Sequence, residues 1–146
     1  MAKSFAQSKG ARAERAAIDL LQPIVDKIYR HAGYKEELIP TLQRNTLQSD
    51  KGGFDVVGLN WLALEIKHQE TLHLDHWWVQ CIEQSKSIRE PVLMYKQNRV
   101  KWRVRMLGRL PIGDQFTQAV VDISLDHFLE YFESRVGYEV ATGERI

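Results

Sequence analysis

The chain has 146 residues, 44% of them apolar and 27% charged, and its net charge is +1. That length supports one domain with a real core, and no apolar run approaches the ~20 residues that span a bilayer. Cys81 is the only cysteine, which excludes an internal disulfide and any multi-cysteine zinc site; with no apolar signal core at the N-terminus, the expected location is the cytoplasm.

From Ser8 to about His31 the spacing predicts a helix, with an apolar stripe of Ala13, Ala17, Leu20, Leu21, Ile24 and Ile28. Pro23 removes one backbone bond and predicts a kink or a break into two helices, and Gly33 is a C-terminal stop. Glu14 falls on the face of Ala17, Ile18 and Leu21, where a buried carboxylate needs a partner. The alternative is an exposed first-turn residue that favours the helix dipole. Residues 34–50 offer strand pieces at Leu38–Ile39 and Leu42–Arg44. A polar, glycine-rich loop then runs from Gln48 to Gly53 and either touches a substrate or only turns the chain.

The stretch from Gly53 to Gln69 reads as two short apolar strands joined at Gly58–Asn60. Asp55 lies in the first strand. Glu65 and Lys67 share one face of the second, with Leu64 and Ile66 on the other. Asp75 is the expected N-cap of a helix from His76 to about Ile88, whose packing face holds Trp77, Cys81, Ser85 and Ile88 with Gln80 beside it. Pro91 blocks continuation. Strands are expected at Pro91–Tyr95 and Val100–Leu107, turned at Gln97–Arg99. In the second, Arg99, Lys101, Arg103 and Arg105 alternate with Val100, Trp102, Val104 and Met106, and no acidic residue occurs between Glu90 and Asp114. Such a row repeats about every 6.6 Å and suits successive phosphates; otherwise it is a solvated edge strand guarded by charge. After a turn at Pro111–Asp114, a last strand is expected at Ala119–Ile123. Ser124 then caps a helix to about Arg135, packed through Leu125, Phe128, Leu129 and Phe132. The polar tail from Gly137 is expected to be partly disordered. The element order predicts an α+β fold, a central mixed sheet flanked by helices.

Two neighbouring carboxylates repel unless a cation holds them. Mg²⁺ takes hard oxygen ligands and keeps several waters, so Asp55, Glu65 and the Ile66 carbonyl suit three of its positions. Lys67 would hydrogen-bond the attacking water, and Glu14 would complete the site or help bind a second ion. The plainer alternative is a Glu65–Lys67 salt bridge of little worth.

Three separated motifs carry a family likeness: Lys9-Gly10 followed by Glu14-Arg15, then Gly53-Phe54-Asp55-Val56-Val57, then Leu64-Glu65-Ile66-Lys67. In this order they resemble the PD-(D/E)XK nuclease superfamily, and within it the archaeal-type Holliday junction resolvases. The likeness implies a restriction-endonuclease-like core over residues 8–107, in a single domain with the C-terminal strand and helix (115–136) as an extension. It implies a Mg²⁺-dependent endodeoxyribonuclease of DNA recombination and repair, with Mn²⁺ able to substitute. Glu14, Asp55, Glu65, Lys67 and Gln80 match the catalytic positions, and Ser49 is the residue nearest to the family's loop serine. Phe54 stands where the superfamily's name has proline. The expected DNA-binding set is Lys9, Arg12, Arg15, Arg44, Ser49 and Lys51, joined by Arg99, Lys101, Arg103 and Arg105. Such resolvases act as homodimers on four-way junctions. Trp61, Trp77, Trp78 and the Phe-rich helix offer apolar surface for that contact or else pack the core. Two other readings are a nuclease for flaps or duplex, and an inactive DNA-binding member of the fold.

Overall fold

The structure, a computed structural model, describes residues 5–46 and 53–143. Helix α1, Phe5–His31, is followed by a 3-10 turn at Glu36–Leu38 and the short strands β1, Gln43–Arg44, and β2, Val56–Val57. Then come β3, Leu62–His68; α2, Leu74–Ser85; β4, Glu90–Lys96; β5, Arg103–Ile112; β6, Gln115–Ser124; and α3, Leu125–Thr142. The six strands form one sheet in sequence order, antiparallel except where β3 and β4 run parallel. A parallel pair needs a crossover, and α2 supplies it.

α1 and α3 cover one face of this mixed sheet and α2 the other. On the first face Ala13, Ala17, Leu21, Val25 and Tyr29 of α1 meet Phe128, Phe132 and Val136 of α3 over Leu62, Leu64, Ile66, Val92, Met94, Val104 and Met106. On the second, Trp77 and Cys81 of α2 pack on Leu93 and Tyr95. Because both faces are covered, β3 is buried almost continuously, as a central parallel strand should be.

Several expectations need correction. α1 is one helix through Pro23, which sits at an exposed position, so the lost bond costs little packing. Its buried row is Ala13–Ala17–Leu21–Val25–Tyr29, strict four-residue steps, while Leu20, Ile24 and Ile28 flank it half-buried. Gly33 ends the helix with φ +87°, letting its own amide reach the Arg30 carbonyl and the Tyr34 amide reach Tyr29. Leu38 ends a 3-10 turn instead of starting a strand. α2 begins at Leu74, so Asp75 lies inside its first turn, and it stops at Ser85, where Lys86 turns left-handed. Ile88 is therefore exposed. β6 is twice the expected length. α3 runs past Gly137 to Thr142, since Val136 and Glu139 extend the buried row of Phe128 and Phe132. That row lies in the same core as α1, so α3 is no appendage. Trp61, Trp77, Phe128 and Phe132 are likewise core residues. Ser124 caps α3 as expected, accepting from the His127 amide at 3.1 Å.

Candidate active site

Asp55 is fixed by backbone on both sides. Its amide donates to the Leu64 carbonyl of β3 at 2.8 Å and its carbonyl accepts from Asn45, next to β1, at 2.8 Å. The Asn45 side chain also donates to the Phe54 carbonyl at 2.9 Å. The hairpin can close this tightly because residue 58 is glycine: φ is +131°, and a Cβ there would lie 2.5 Å from the Thr41 carbonyl oxygen. Phe54 lies under the Arg89 guanidinium, 4.7 Å from its ring centre, and Arg89 donates to the Leu59 and Leu62 carbonyls. The position that names the superfamily by proline is here held by stacking.

The Asp55 carboxylate then reaches across to β3, where its Oδ2 accepts from the Ile66 amide at 2.7 Å. In a strand the amide and carbonyl of one residue point to the same side, so the Ile66 carbonyl lies on the edge facing Asp55. Glu65 is only 5% exposed, and Lys67 places its Nζ 3.8 Å from Glu65 Oε1 and 5.9 Å from the Trp77 ring centre. Glu65 Oε2 is enclosed and has no hydrogen-bond partner among the described residues. Burial first, then the charge of Asp55 and a hydrogen bond shared with it, push the Glu65 carboxyl well above the usual carboxylate range, with Lys67 opposing. Two carboxyls this close cannot both ionise cheaply, so the pair favours keeping a proton. A divalent cation is the natural replacement for it.

A cavity of about 530 Å³ opens over these groups, lined by Glu14, Asp55, Glu65, Ile66 and Lys67. Glu14 therefore belongs to the site, but its carboxylate is taken: Arg44 Nε donates to Oε2 at 2.6 Å, both side chains half-buried. Arg44, expected on DNA, pairs with Glu14 in this structure. Among the described residues no three His, Cys, Asp or Glu side chains gather around one point. Gln80 does not line the cavity, because α2 faces the sheet through Trp77, Cys81 and Ser85. Gln84, one turn on, instead abuts Gly53, where a Cβ would meet its Nε2 at 2.7 Å. Ser49 and Lys51 lie outside the described residues.

The basic row does not survive as a row. β5 begins only at Arg103, with Arg99 in the preceding turn at φ +63°. Arg105 is clasped by Asp122 of β6 at 3.0 Å and by Asp75 of α2 at 3.1 Å, and Tyr95 donates to the same Asp122 at 2.8 Å. The compensating acids that the local sequence lacks come from elsewhere in the fold. Arg15, Lys101 and Arg103 are exposed, while Lys9, Arg12 and Arg99 border a second cavity beside the first. Lys9 and Gly10 of the opening motif also line the first cavity, and sequence reasoning missed His68, Gln69 and Glu70, which complete it. No local signal marked those three.

A family model described as "Phage putative PDDEXK endonuclease" matches residues 6–144. None of the curated proteins compared matches the chain. Among solved structures, the chain is similar to Archaeoglobus fulgidus Hjc, a Holliday junction resolvase from an archaeal hyperthermophile. The identity is 17% and the TM-score 0.48, over 84% of this chain and 96% of that one.

Proposed function

This chain belongs to the phage PDDEXK endonuclease family, and from that premise we propose that it is a divalent-metal-dependent endonuclease of branched DNA, with four-way junctions as the favoured substrate. The observation that carries the metal is Glu65 Oε2, enclosed without a donor beside a second carboxylate. Asp55, Glu65 and the Ile66 carbonyl would hold a Mg²⁺ or Mn²⁺ ion, a set of hard oxygens that leaves several positions to water. When bound, the ion supplies Lewis acidity to the phosphate and to the nucleophilic water.

The residues do the rest. Lys67 Nζ, held between Glu65 and the Trp77 ring, donates to a water and aims it at phosphorus. The new P–O bond forms as the bond to the leaving sugar oxygen breaks; the attacking water gives up its proton to solvent, and the departing oxygen takes one back from solvent. Asp55 holds its register through the Ile66 amide. Glu14, clamped by Arg44, keeps negative charge on the cavity wall and positions the wall instead of reacting.

Branched DNA as substrate rests on the motif likeness to archaeal-type resolvases, and with it goes a two-fold dimer, which matches a symmetric junction. The surface we assign to that dimer is the β5–β6 ribbon, where Phe116 and Val120 are exposed. A nuclease acting on flaps or duplex is the second reading, favoured by the same metal chemistry.

Labelled four-way junction, flap and linear duplex, each incubated with protein and Mg²⁺ or Mn²⁺, test this. Paired symmetric nicks in the junction are expected. Asp55→Asn and Lys67→Ala should each lower the rate by about 10³-fold or more, the loss of several kcal/mol of transition-state stabilisation. Equal cutting by wild type and both variants would sink the mechanism; preference for flap or duplex would favour the second reading.

A further inference from the structure

Beyond the carboxylates, on the α1 side of the sheet, lies a second cavity of about 480 Å³. Four cations border it: Lys9 and Arg12 from α1, Lys96 from the end of β4, and Arg99 from the turn that follows. No carboxylate of the described residues lines it. Like charges brought together by two separate stretches of chain, 9–12 and 96–99, repel one another, a cost that an anion between them reverses. The cations are also positioned. Lys96 Nζ sits over the Trp102 ring, 5.8 Å from its centre, and Lys9 donates to the Asn98 side chain. The nearby Glu70 carboxylate accepts from the Asn98 amide. His68, at the end of β3, puts an enclosed Nε2, without a hydrogen-bond partner among the described residues, into the same wall.

Lys9 and His68 line both cavities, so the second continues the first around the end of β3. His68 follows Lys67 directly, and alternation sends the two side chains to opposite faces of the strand. A strand whose scissile phosphate lies over Asp55 and Glu65 would lead its neighbouring linkage onto the α1 face.

We infer that this cavity is a second phosphate subsite, binding a DNA backbone phosphate next to the scissile one through Lys9, Arg12, Lys96 and Arg99. It fixes the path of the strand across the carboxylates, and so where the cut falls. This rests on the nuclease reading, since the subsite is defined relative to a scissile phosphate. It takes over the role that the sequence suggested for a straight row on β5.

The test scans a neutral methylphosphonate through single linkages on both sides of the cleaved one and compares wild type with a Lys96→Gln/Arg99→Gln double variant. Neither residue touches the carboxylates. At one nearby linkage, neutralisation should slow wild-type cleavage about tenfold or more, the worth of a charged hydrogen bond, and should leave the double variant unaffected. Binding to the Asp55→Asn background, read by fluorescence anisotropy over a salt series, needs no cleavage. There the double change should lower the slope of log affinity against log salt by about 1. Oligonucleotides with and without a 5′-phosphate separate an internal linkage from a strand end; sensitivity to the end group alone would support the subsite with a terminal phosphate as its occupant. If every methylphosphonate affects both proteins equally and the salt slope is unchanged, the assignment is overturned. Absence of cleavage by wild type, with the anisotropy result as expected, would instead overturn the nuclease reading alone.

Discussion

Glu65 is costly to bury. Its carboxyl is buried beside Asp55, and the fold favours the protonated form. Through this group the folded state binds more protons than the unfolded chain between about pH 4.3 and about 9. In that window Glu65 makes the metal-free protein less stable as pH rises, and on the proposed metal reading a divalent cation, which needs the deprotonated form, would restore the stability. Glu65→Gln should raise the metal-free melting temperature at pH 8, by about 2–4 °C for each kcal/mol recovered. It should also flatten the pH dependence and remove the Mn²⁺-induced increase. Thermal melts at pH 5 and pH 8, with and without Mn²⁺, check this; a wild type whose metal-free stability does not fall between those pH values contradicts it. At this scale the sequence was informative about Asp55, Glu65 and Lys67, because a hairpin and a two-residue alternation suffice to bring them together. It was uninformative about Arg44 and Asp122. Their partners Glu14 and Arg105 lie 30 and 17 residues away, and only tertiary structure pairs them.

The elements repeat that contrast. α1 and the central hairpin were legible because their periodicity is local. The length of α3 was not, since Gly137 and polar neighbours argue against a helix until Phe128, Phe132 and Val136 are seen seated against α1 and the sheet. α3 is held by burial more than by propensity. Phe132→Ala, at a fully buried position, should cost about 3–5 kcal/mol, whereas Ser124→Ala, losing only the cap, should cost about 1 kcal/mol. Denaturant titration followed by circular dichroism measures both. If the two variants are equally stable, α3 is not the core element described. The basic row is interrupted for a related reason: a charge pattern along one segment says nothing about the acids that the next strand brings beside it.

In the whole molecule, β4 pairs with β5 only over Arg103–Met106, while β5 and β6 stay paired out to Ile112 and Gln115. The hairpin therefore projects past the sheet as a two-stranded ribbon. Cross-strand partners share a face, which puts the pairs Leu107–Val120, Arg109–Gln118 and Pro111–Phe116 together, with Phe116 67% exposed. A lone ribbon that exposes Phe116 and Val120 is marginal in water, and a second copy would support it. Light scattering after size exclusion at micromolar concentration should give a dimer for wild type and a monomer for Phe116→Ser; a monomeric wild type removes the proposed interface. No helix among the described residues is long and apolar enough to cross a membrane.

The bond from the Ile66 amide to Asp55 Oδ2 bears on how this fold can change over generations. Aspartate and asparagine codons differ by one base, and an asparagine at 55 still offers an oxygen to that amide while giving up the charge. Chemistry can thus be lost in one step with the pairing of β2 and β3 intact. A lineage that takes this step keeps a folded surface on which selection for binding alone can act, and the reverse mutation remains one base away.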